Sequence, residues 1–175
     1  MINTQGRVFQ STKTYTHAQG LSCAFRQWRA ESHCRFLHGY ALEIKLTFRA
    51  EDLNSNYWVV DFGGLKDIKA FLVDMFDHTT VVAHDDPHLE TFEELYDKGL
   101  IQLRVMTAVG CEAFAGMVFR EVDAWLKANQ KDGKFTNAVL ESAEVREHSG
   151  NSAICKLNIP HIHTTKRSPT DAGTL

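Results

Sequence analysis

The chain has 175 residues, of which 43% are hydrophobic, and its 19 Lys and Arg against 22 Asp and Glu give a formal net charge of -3. This slightly acidic balance argues against a surface that binds duplex nucleic acid, which takes a clustered excess of Lys and Arg. A chain of this length can bury a core that needs no disulfide or structural metal, so we expect one globular domain over residues 1–175.

The first part of the chain predicts two strands and then a helix. Apolar and polar residues alternate strictly over residues 42–49, as a half-buried strand requires, and residues 20–25 predict a shorter strand that pairs with it. The connection between them, residues 26–35, is polar and charged. From Leu65 onward the apolar residues follow one helical stripe, with Asp61 as a candidate cap ahead of it.

The second part predicts another helix and a hairpin. Residues 79–108 hold an acidic, His-containing stretch, which we interpret as an insertion that is partly helical. An amphipathic helix is predicted from Glu112 to Asn129. Residues 137–147 and 152–157 predict a β-hairpin, and the tail, residues 158–175, is rich in Thr, Ser and Pro and is predicted to be poorly ordered.

This order of elements predicts an α+β fold, with a four-stranded antiparallel sheet of two hairpins covered by two helices on one face. Such a sheet leaves strand edges without partners, so we expect a homo-oligomer.

The cysteines and the N-terminus bear on the compartment. The four cysteines lack a Cys-x-x-Cys pair, which is typical of free thiols in a reducing compartment. The first residues lack the apolar stretch of a signal peptide, and no apolar run approaches the ~18 residues that cross a bilayer. We therefore expect a cytoplasmic protein.

The densest group of reactive residues precedes the alternating strand. Cys34 stands between His33 and Arg35, and His38 follows shortly after. Nearby cationic groups favour a thiolate, which could act as a general base. The alternative is a loop thiol with solvated neighbours.

Two further candidates lie elsewhere in the chain. Asp77 and His78 follow the first helical stripe, and an aspartate can fix the tautomer of a neighbouring histidine. The alternative is a helix-terminal histidine favoured by the helix dipole. Glu147 ends a predicted strand, where a carboxylate could accept N–H groups of a planar heterocycle or simply be solvated.

In this order, the motifs resemble the family of 6-pyruvoyltetrahydropterin synthase and the bacterial 6-carboxytetrahydropterin synthase. The family pattern Cys-x-x-x-His-Gly-His resembles residues 34–40, which end in Tyr40, and Asp-Phe-x-x-Leu-Lys is intact at residues 61–66. The family's Leu-Asp-His resembles residues 76–78, and Glu112 matches a glutamate that opens the second helix, although Val109 and Gly110 replace the usual Pro-Thr. Glu147 matches the glutamate of Val-x-x-Glu-Thr, with a histidine in the Thr place. The resemblance covers roughly residues 20–157.

The resemblance implies a tunnelling fold that assembles into trimers or hexamers, and a pterin substrate, 7,8-dihydroneopterin triphosphate, held by Glu147. It implies that Cys34 removes a side-chain proton while Asp77 and His78 relay a proton. In the bacterial branch the reaction is carbon–carbon cleavage, which leaves 6-carboxytetrahydropterin on the route to 7-deazaguanine nucleosides, including queuosine.

The resemblance also implies a zinc ion held by three histidines, but only His38 matches, because Phe25 and Tyr40 stand at the other two positions. A catalytic zinc normally takes three protein ligands, so we expect the metal to be absent. An alternative is that other histidines supply the ligands, of which the candidates are His17, His33, His84 and His88.

The lost ligands leave three functions open. The first is a lyase of the 6-carboxytetrahydropterin synthase type that acts on dihydroneopterin triphosphate or a related pterin. The second is a non-catalytic pterin or purine binder of the same fold, and the third is an aldolase that acts on dephosphorylated dihydroneopterin.

Overall fold

A computed structural model of the chain describes residues 7–130, 135 and 137–158, so the predicted tail lies outside the described residues beyond residue 158. The strands are β1 (Phe9–Tyr15), β2 (Leu21–Phe25), β3 (His38–Ala50), β4 (Thr79–Ala83), β5 (Leu103–Met106), β6 (Val139–His148) and β7 (Asn151–Lys156). The helices are α1 (Lys66–Phe76), α2 (Leu89–Asp97) and α3 (Cys111–Gln130).

These strands form one mixed sheet built around β3. Strands β1, β3, β6 and β7 form an antiparallel ladder, β2 pairs with the beginning of β3, and β4 and β5 join β2 in parallel. The α+β class is therefore confirmed. The predicted sheet of four strands with two helices was wrong, because the sheet has 7 strands and the described residues also include a third helix.

Strand β3 is long enough to pair with two strands along one edge. Residues 38–42 pair with β2, whereas residues 44–50 pair with β1. The predicted strand at residues 42–49 is therefore the second part of a strand that starts at His38. In this register Phe25 lies opposite His38 and Cys23 lies opposite Tyr40, so the ends of β2 and β3 bring the residues of the Cys34 region beside the sheet.

Helices α1 and α3 pack on the same core. The predicted stripe of α1 is buried at Ile68, Leu72 and Phe76. Phe114 of α3 contacts Phe76, with ring centroids 5.2 Å apart, and Phe25 of β2, with ring centroids 5.1 Å apart. Burying each of these rings contributes about 2 kcal/mol of transfer free energy. The α3 helix thus joins the first helix to the strand that ends at the candidate site.

The segment at residues 79–108 contributes strands as well as a helix. Every residue of β4 is buried, which suits a strand covered on both faces. Val81 belongs to the main core, whereas Val82 and Phe92 of α2 are buried outside it. Because β2, β4 and β5 run in parallel, the loops that follow them emerge at one end of the sheet.

Within the described part of the chain, no helix combines the length and the apolar character that a membrane span requires.

Candidate functional site

Tyr40 lies at the centre of the candidate site. Its ring makes an edge contact with His38, at 5.7 Å between centroids, and lies 5.9 Å from the ring of His148. Partial burial raises the pKa of Tyr40, and negative charge at Glu147 and Cys34 raises it further. The carboxylate and the thiol therefore lie near enough to the phenol to act on its pKa. The structure therefore brings two of the predicted site residues, Cys34 and Glu147, together with His38.

A single 3₁₀ turn, His33–Arg35, presents the thiol of Cys34. The side chain of Ser32 caps this turn by accepting the backbone N–H of Cys34 at 3.4 Å. The carbonyl of Cys34 accepts the backbone N–H of Gln27 at 2.9 Å, which ties the turn to the end of β2. The thiol is half-buried, so it is held in place and still open to a ligand.

A bulge in β6 aims Glu147 into the site. Arg146 pairs with Ser152 and His148 with Asn151, so Glu147 is an extra residue on its strand. Its carboxylate lies near the thiol of Cys111, the first residue of α3. Burial raises the pKa of Cys111 to about 12, and the Glu147 charge contributes to the rise. The Cys111 thiol is therefore protonated at neutral pH and can donate to Glu147.

Gln27 links the Cys34 turn to the start of α3. A Cβ atom at Gly110 would collide with the side-chain amide of Gln27, and Gly110 has φ +113°, a value that L-residues rarely adopt. The position therefore needs glycine. This close approach accounts for Gly110 in place of the threonine of the family pattern, whereas nothing in the structure explains Val109 in place of the proline.

Two ion pairs fasten the loop after β4 onto the loop after β2. Arg26 Nε donates to Asp86 Oδ2 at 2.9 Å, and the Asp86 side chain is 0% exposed. Asp85 accepts from Trp28 Nε1 at 3.2 Å and pairs with Arg29, whose hydrogen bond holds the pKa of Asp85 below its usual range. We call these two pairs the clasp. The clasp gives the acidic part of the 79–108 segment a role in positioning the loop that carries Cys34.

Asp77 and His78 pair with each other, and among the described residues neither hydrogen-bonds Cys34. Nδ1 of His78 is 2.6 Å from Oδ1 of Asp77, and the His78 side chain is 85% exposed. His78 has φ +56°, a left-handed conformation that costs a non-glycine residue about 1 kcal/mol. It immediately precedes Thr79, which pairs with Cys23 in the middle of β2, whereas Cys34 is tied to Gln27, two residues beyond the end of β2. Among the described residues, no hydrogen bond or ion pair joins Asp77 or His78 to Cys34 or Glu147.

The three positions that the resemblance assigns to zinc ligands do lie together, but as aromatic contacts. The Phe25 ring lies 4.9 Å from His38 and 6.2 Å from Tyr40 between centroids. Phenylalanine has no donor atom, and His38 Nδ1 faces the carbonyl of Phe36 at 2.7 Å, so one imidazole nitrogen remains for a metal. These residues do not fit a zinc ion.

The other histidines do not complete the ligand set. His17 Nδ1 is engaged by the carbonyl of Ala41, and His84 Nδ1 lies 3.2 Å from the carbonyl of Thr107. Across residues 7–130, 135 and 137–158, the structure contains no group of three His, Cys, Asp or Glu side chains suited to holding a metal.

Two members of the site were missed as functional residues by the sequence interpretation. Cys111 was grouped with the free thiols, and His148 was noted in the turn and in the Thr place of the family motif, whereas Tyr40 was interpreted with Phe25 as an aromatic replacement of zinc ligands. The sequence did offer a signal for Cys111, because this residue directly precedes Glu112, the motif glutamate at the start of a helix. No sequence signal placed Cys111 beside Glu147, because that contact joins α3 to a strand more than thirty residues later.

Comparison with known proteins gives a consistent result. Residues 14–158 match the sequence model of the family described as 6-pyruvoyl tetrahydropterin synthase. Among curated proteins, 6-carboxy-5,6,7,8-tetrahydropterin synthases of Rickettsia felis and Rickettsia conorii are each 30% identical over 60 residues, which is 34% of this chain and 44% of theirs. The match thus spans less than half the length of these relatives.

Solved structures show the same fold at low identity. An uncharacterized protein of Wolinella succinogenes superposes with a TM-score of 0.72 at 18% identity, covering 87% of this chain and 100% of the other. The 6-pyruvoyl tetrahydropterin synthase of Plasmodium vivax superposes with a TM-score of 0.61 at 13% identity, covering 87% of this chain and 99% of the other.

Proposed function

Because the chain belongs to the 6-pyruvoyl tetrahydropterin synthase family, whose model matches residues 14–158, we propose that it is a pterin lyase. The proposed activity is of the 6-carboxytetrahydropterin synthase type, on 7,8-dihydroneopterin triphosphate or a related pterin. The observation that carries the proposal is the grouping of Cys34 and Glu147 around Tyr40. Such a reaction needs a base and an acidic residue that anchors the pterin, and Cys34 and Glu147 would supply both from one chain.

The geometry suits a division of labour between these residues. Glu147 is half-buried and can accept a hydrogen bond from Cys111, so a pterin that offers adjacent N–H groups would find an acceptor fixed by the bulge. Cys34, as the thiolate, takes a proton from the side chain of the bound pterin. Asp77 and His78 then move a proton to or from a side-chain oxygen, and we propose that they belong to a neighbouring copy.

The direct test is turnover by the purified protein. It is incubated with 7,8-dihydroneopterin triphosphate, with and without added zinc, and the pterin products are separated by chromatography. We expect product formation, and we expect Cys34→Ala to lower kcat by at least about 100-fold with pterin affinity within about twofold, because general-base catalysis contributes 10²–10⁴-fold.

Cys155→Ala is the matched control, since this thiol lies on β7 and is half-buried like Cys34. It should retain wild-type activity. Absence of turnover in both metal conditions would refute the lyase, and a fully active Cys34→Ala variant would refute the assigned base.

A second candidate function is a non-catalytic pterin or purine binder. The ring contacts of Phe25, His38 and Tyr40 favour it, because they present an aromatic surface where the resemblance implies a metal. Calorimetric titration with a pterin distinguishes the two functions. Tight binding without product, unaffected by Cys34→Ala, would support the binder.

A further inference from the structure

We propose that this chain works without zinc, and that His38 and Tyr40, backed by the buried ring of Phe25, form the surface against which the substrate side chain packs. Phe25, His38 and Tyr40 are together called the aromatic cluster. The part that concerns the substrate rests on the proposed function. The part that concerns the metal does not, because it follows from the donor atoms alone.

The donor set is the first step. Phe25 is 1% exposed and its ring packs against Phe114, so it is part of the hydrophobic core rather than a residue that can turn away from the site. A catalytic zinc takes three protein ligands, and His38 alone would hold the ion weakly. A tyrosine must lose a proton whose ordinary pKa is about 10 before its oxygen binds zinc readily, so Tyr40 is a poor replacement for an imidazole.

The cluster also has a positive structural role. Phe25 lies opposite His38 across two strands, and His38 and Tyr40 are two residues apart on the same strand face. Their rings contact one another at 4.9–6.2 Å, as aromatic groups do when they pack. The cluster therefore replaces a charged ion with a packed apolar surface at the same place.

Tyr40 keeps one polar group available on that surface. Within the described residues its hydroxyl makes no hydrogen bond, although Cys34 and Glu147 lie around it. A neutral phenol can donate one hydrogen bond to an oxygen of the substrate side chain. We infer that Tyr40 binds and polarises this oxygen, a task that the family resemblance gives to a metal.

Metal content provides the first test. Wild-type protein is dialysed against micromolar zinc, and the bound metal is measured by elemental analysis. We expect far less than one equivalent for the wild type and about one equivalent for the double variant Phe25→His with Tyr40→His, because it restores three imidazoles at cross-strand and same-face positions. The single variant Tyr40→His, with two imidazoles, is the matched control and should bind weakly.

One equivalent in the wild type that His38→Ala abolishes would overturn the proposal without any need for a stable double variant. A double variant that melts like the wild type but takes up no zinc would also overturn it. Neither outcome depends on turnover, so failure of the metal argument is distinguishable from failure of the proposed lyase.

The second test concerns the hydroxyl. Tyr40→Phe keeps the ring and removes only the donor, so we expect kcat to fall about 10- to 100-fold while KM changes by less than about twofold. Added zinc should not restore the lost rate. Full activity of Tyr40→Phe would show that the hydroxyl has no part in the reaction.

Discussion

Cys111 and Glu147 form a pair. The charge of Glu147 helps to keep the Cys111 thiol protonated, and the thiol can donate a hydrogen bond to the Glu147 carboxylate. The thiol is buried at the start of α3, and its pKa of about 12 keeps it protonated across the physiological range. A protonated thiol can donate to the carboxylate, which leaves the other lone pairs of Glu147 available to a ligand. The pair therefore acts as the acidic anchor, whereas Cys34 is the thiol open to chemistry.

We predict that Glu147→Gln makes Cys111 more reactive. The negative charge of Glu147 raises the pKa of Cys111, so its removal lowers that pKa, increases the thiolate fraction at pH 8 to 9 and speeds alkylation several-fold. Burial is the larger cause of the raised pKa, so the reaction should remain slower than that of an exposed thiol. The measurement is alkylation by iodoacetamide, followed peptide by peptide with mass spectrometry.

Cys23 provides an internal control in the same sample. Burial alone raises its pKa to about 12, and Glu147 is not among the groups that act on it. Its rate should be the same in wild type and variant. If both thiols accelerate together, the variant has loosened the whole fold and the pairing is not supported.

The sequence predicted individual residues best where a motif carried them. Cys34 was singled out from its cationic neighbours, Glu147 from its place at a strand end and His38 from the family resemblance, and they lie near Tyr40. Their catalytic and binding roles stay predictions. Cys111 and His148 were missed because their importance depends on which loops meet, and single-sequence patterns do not report contacts between distant segments.

At the scale of elements, the parallel strands β2, β4 and β5 place three loops at one end of the sheet. The clasp joins two of these loops, and Gln27 joins the first of them to the start of α3. The 79–108 segment thus helps to position Cys34. It contains none of the predicted catalytic residues, because Asp77 and His78 immediately precede it.

We predict that Asp86→Ala destabilises the protein by about 3 kcal/mol. The Asp86 carboxylate is 0% exposed, so the variant leaves the guanidinium of Arg26 without its buried partner. An uncompensated buried charge is costly. It also removes the acceptor of the backbone N–H of His88. Urea unfolding gives the free energy, and the same sample should show faster alkylation of Cys34 because its loop is less restrained.

Asp74→Ala is the matched control, since Asp74 pairs with Arg104 but is 76% exposed. It should cost less than about 1 kcal/mol. Equal losses for the two variants would mean that the clasp contributes no more than a surface pair.

Helices and strands were predictable where the sequence carried a strong local pattern of apolar residues. The stripes of α1 and α3 followed from periodicity, and the hairpin of β6 and β7 followed from two β-prone runs with Gly and Asn between them. Strand β1 was missed because its sequence, FQSTKTY, is mostly polar, and its partner β3 supplies the buried face. Strands β4 and β5 were missed because they are short and parallel, and parallel pairing leaves no local turn signal.

At the scale of the whole molecule, the sheet has edges that the described residues leave open. Strand β1 pairs only with β3 there, and β7 pairs only with β6. Phe36 and Leu37, which follow the Cys34 turn, are 59% and 52% exposed. Open edges and large exposed apolar side chains beside a candidate site are typical of surfaces that a second copy covers, so we propose a homo-oligomer with sites between copies.

Because no described hydrogen bond joins Cys34 to Asp77 or His78, a site shared between copies can be tested by complementation. If the thiol of one copy and the Asp77–His78 pair of the next act on one substrate, Cys34→Ala and His78→Ala each inactivate the site through a different copy. Co-expression of the two variants, purified through two different tags, should then restore about a quarter of wild-type activity, because random assembly gives each site two intact halves about one time in four.

The matched control replaces the second partner with the double variant Cys34→Ala with His78→Ala, which leaves no intact thiol in the mixture and should restore nothing. Recovery in the first mixture alone means that a site draws its base and its proton relay from different chains. No recovery in a verified mixed oligomer would mean that the exposed His78, with its left-handed backbone and its 2.6 Å contact to Asp77, does not serve the Cys34 of a neighbouring copy.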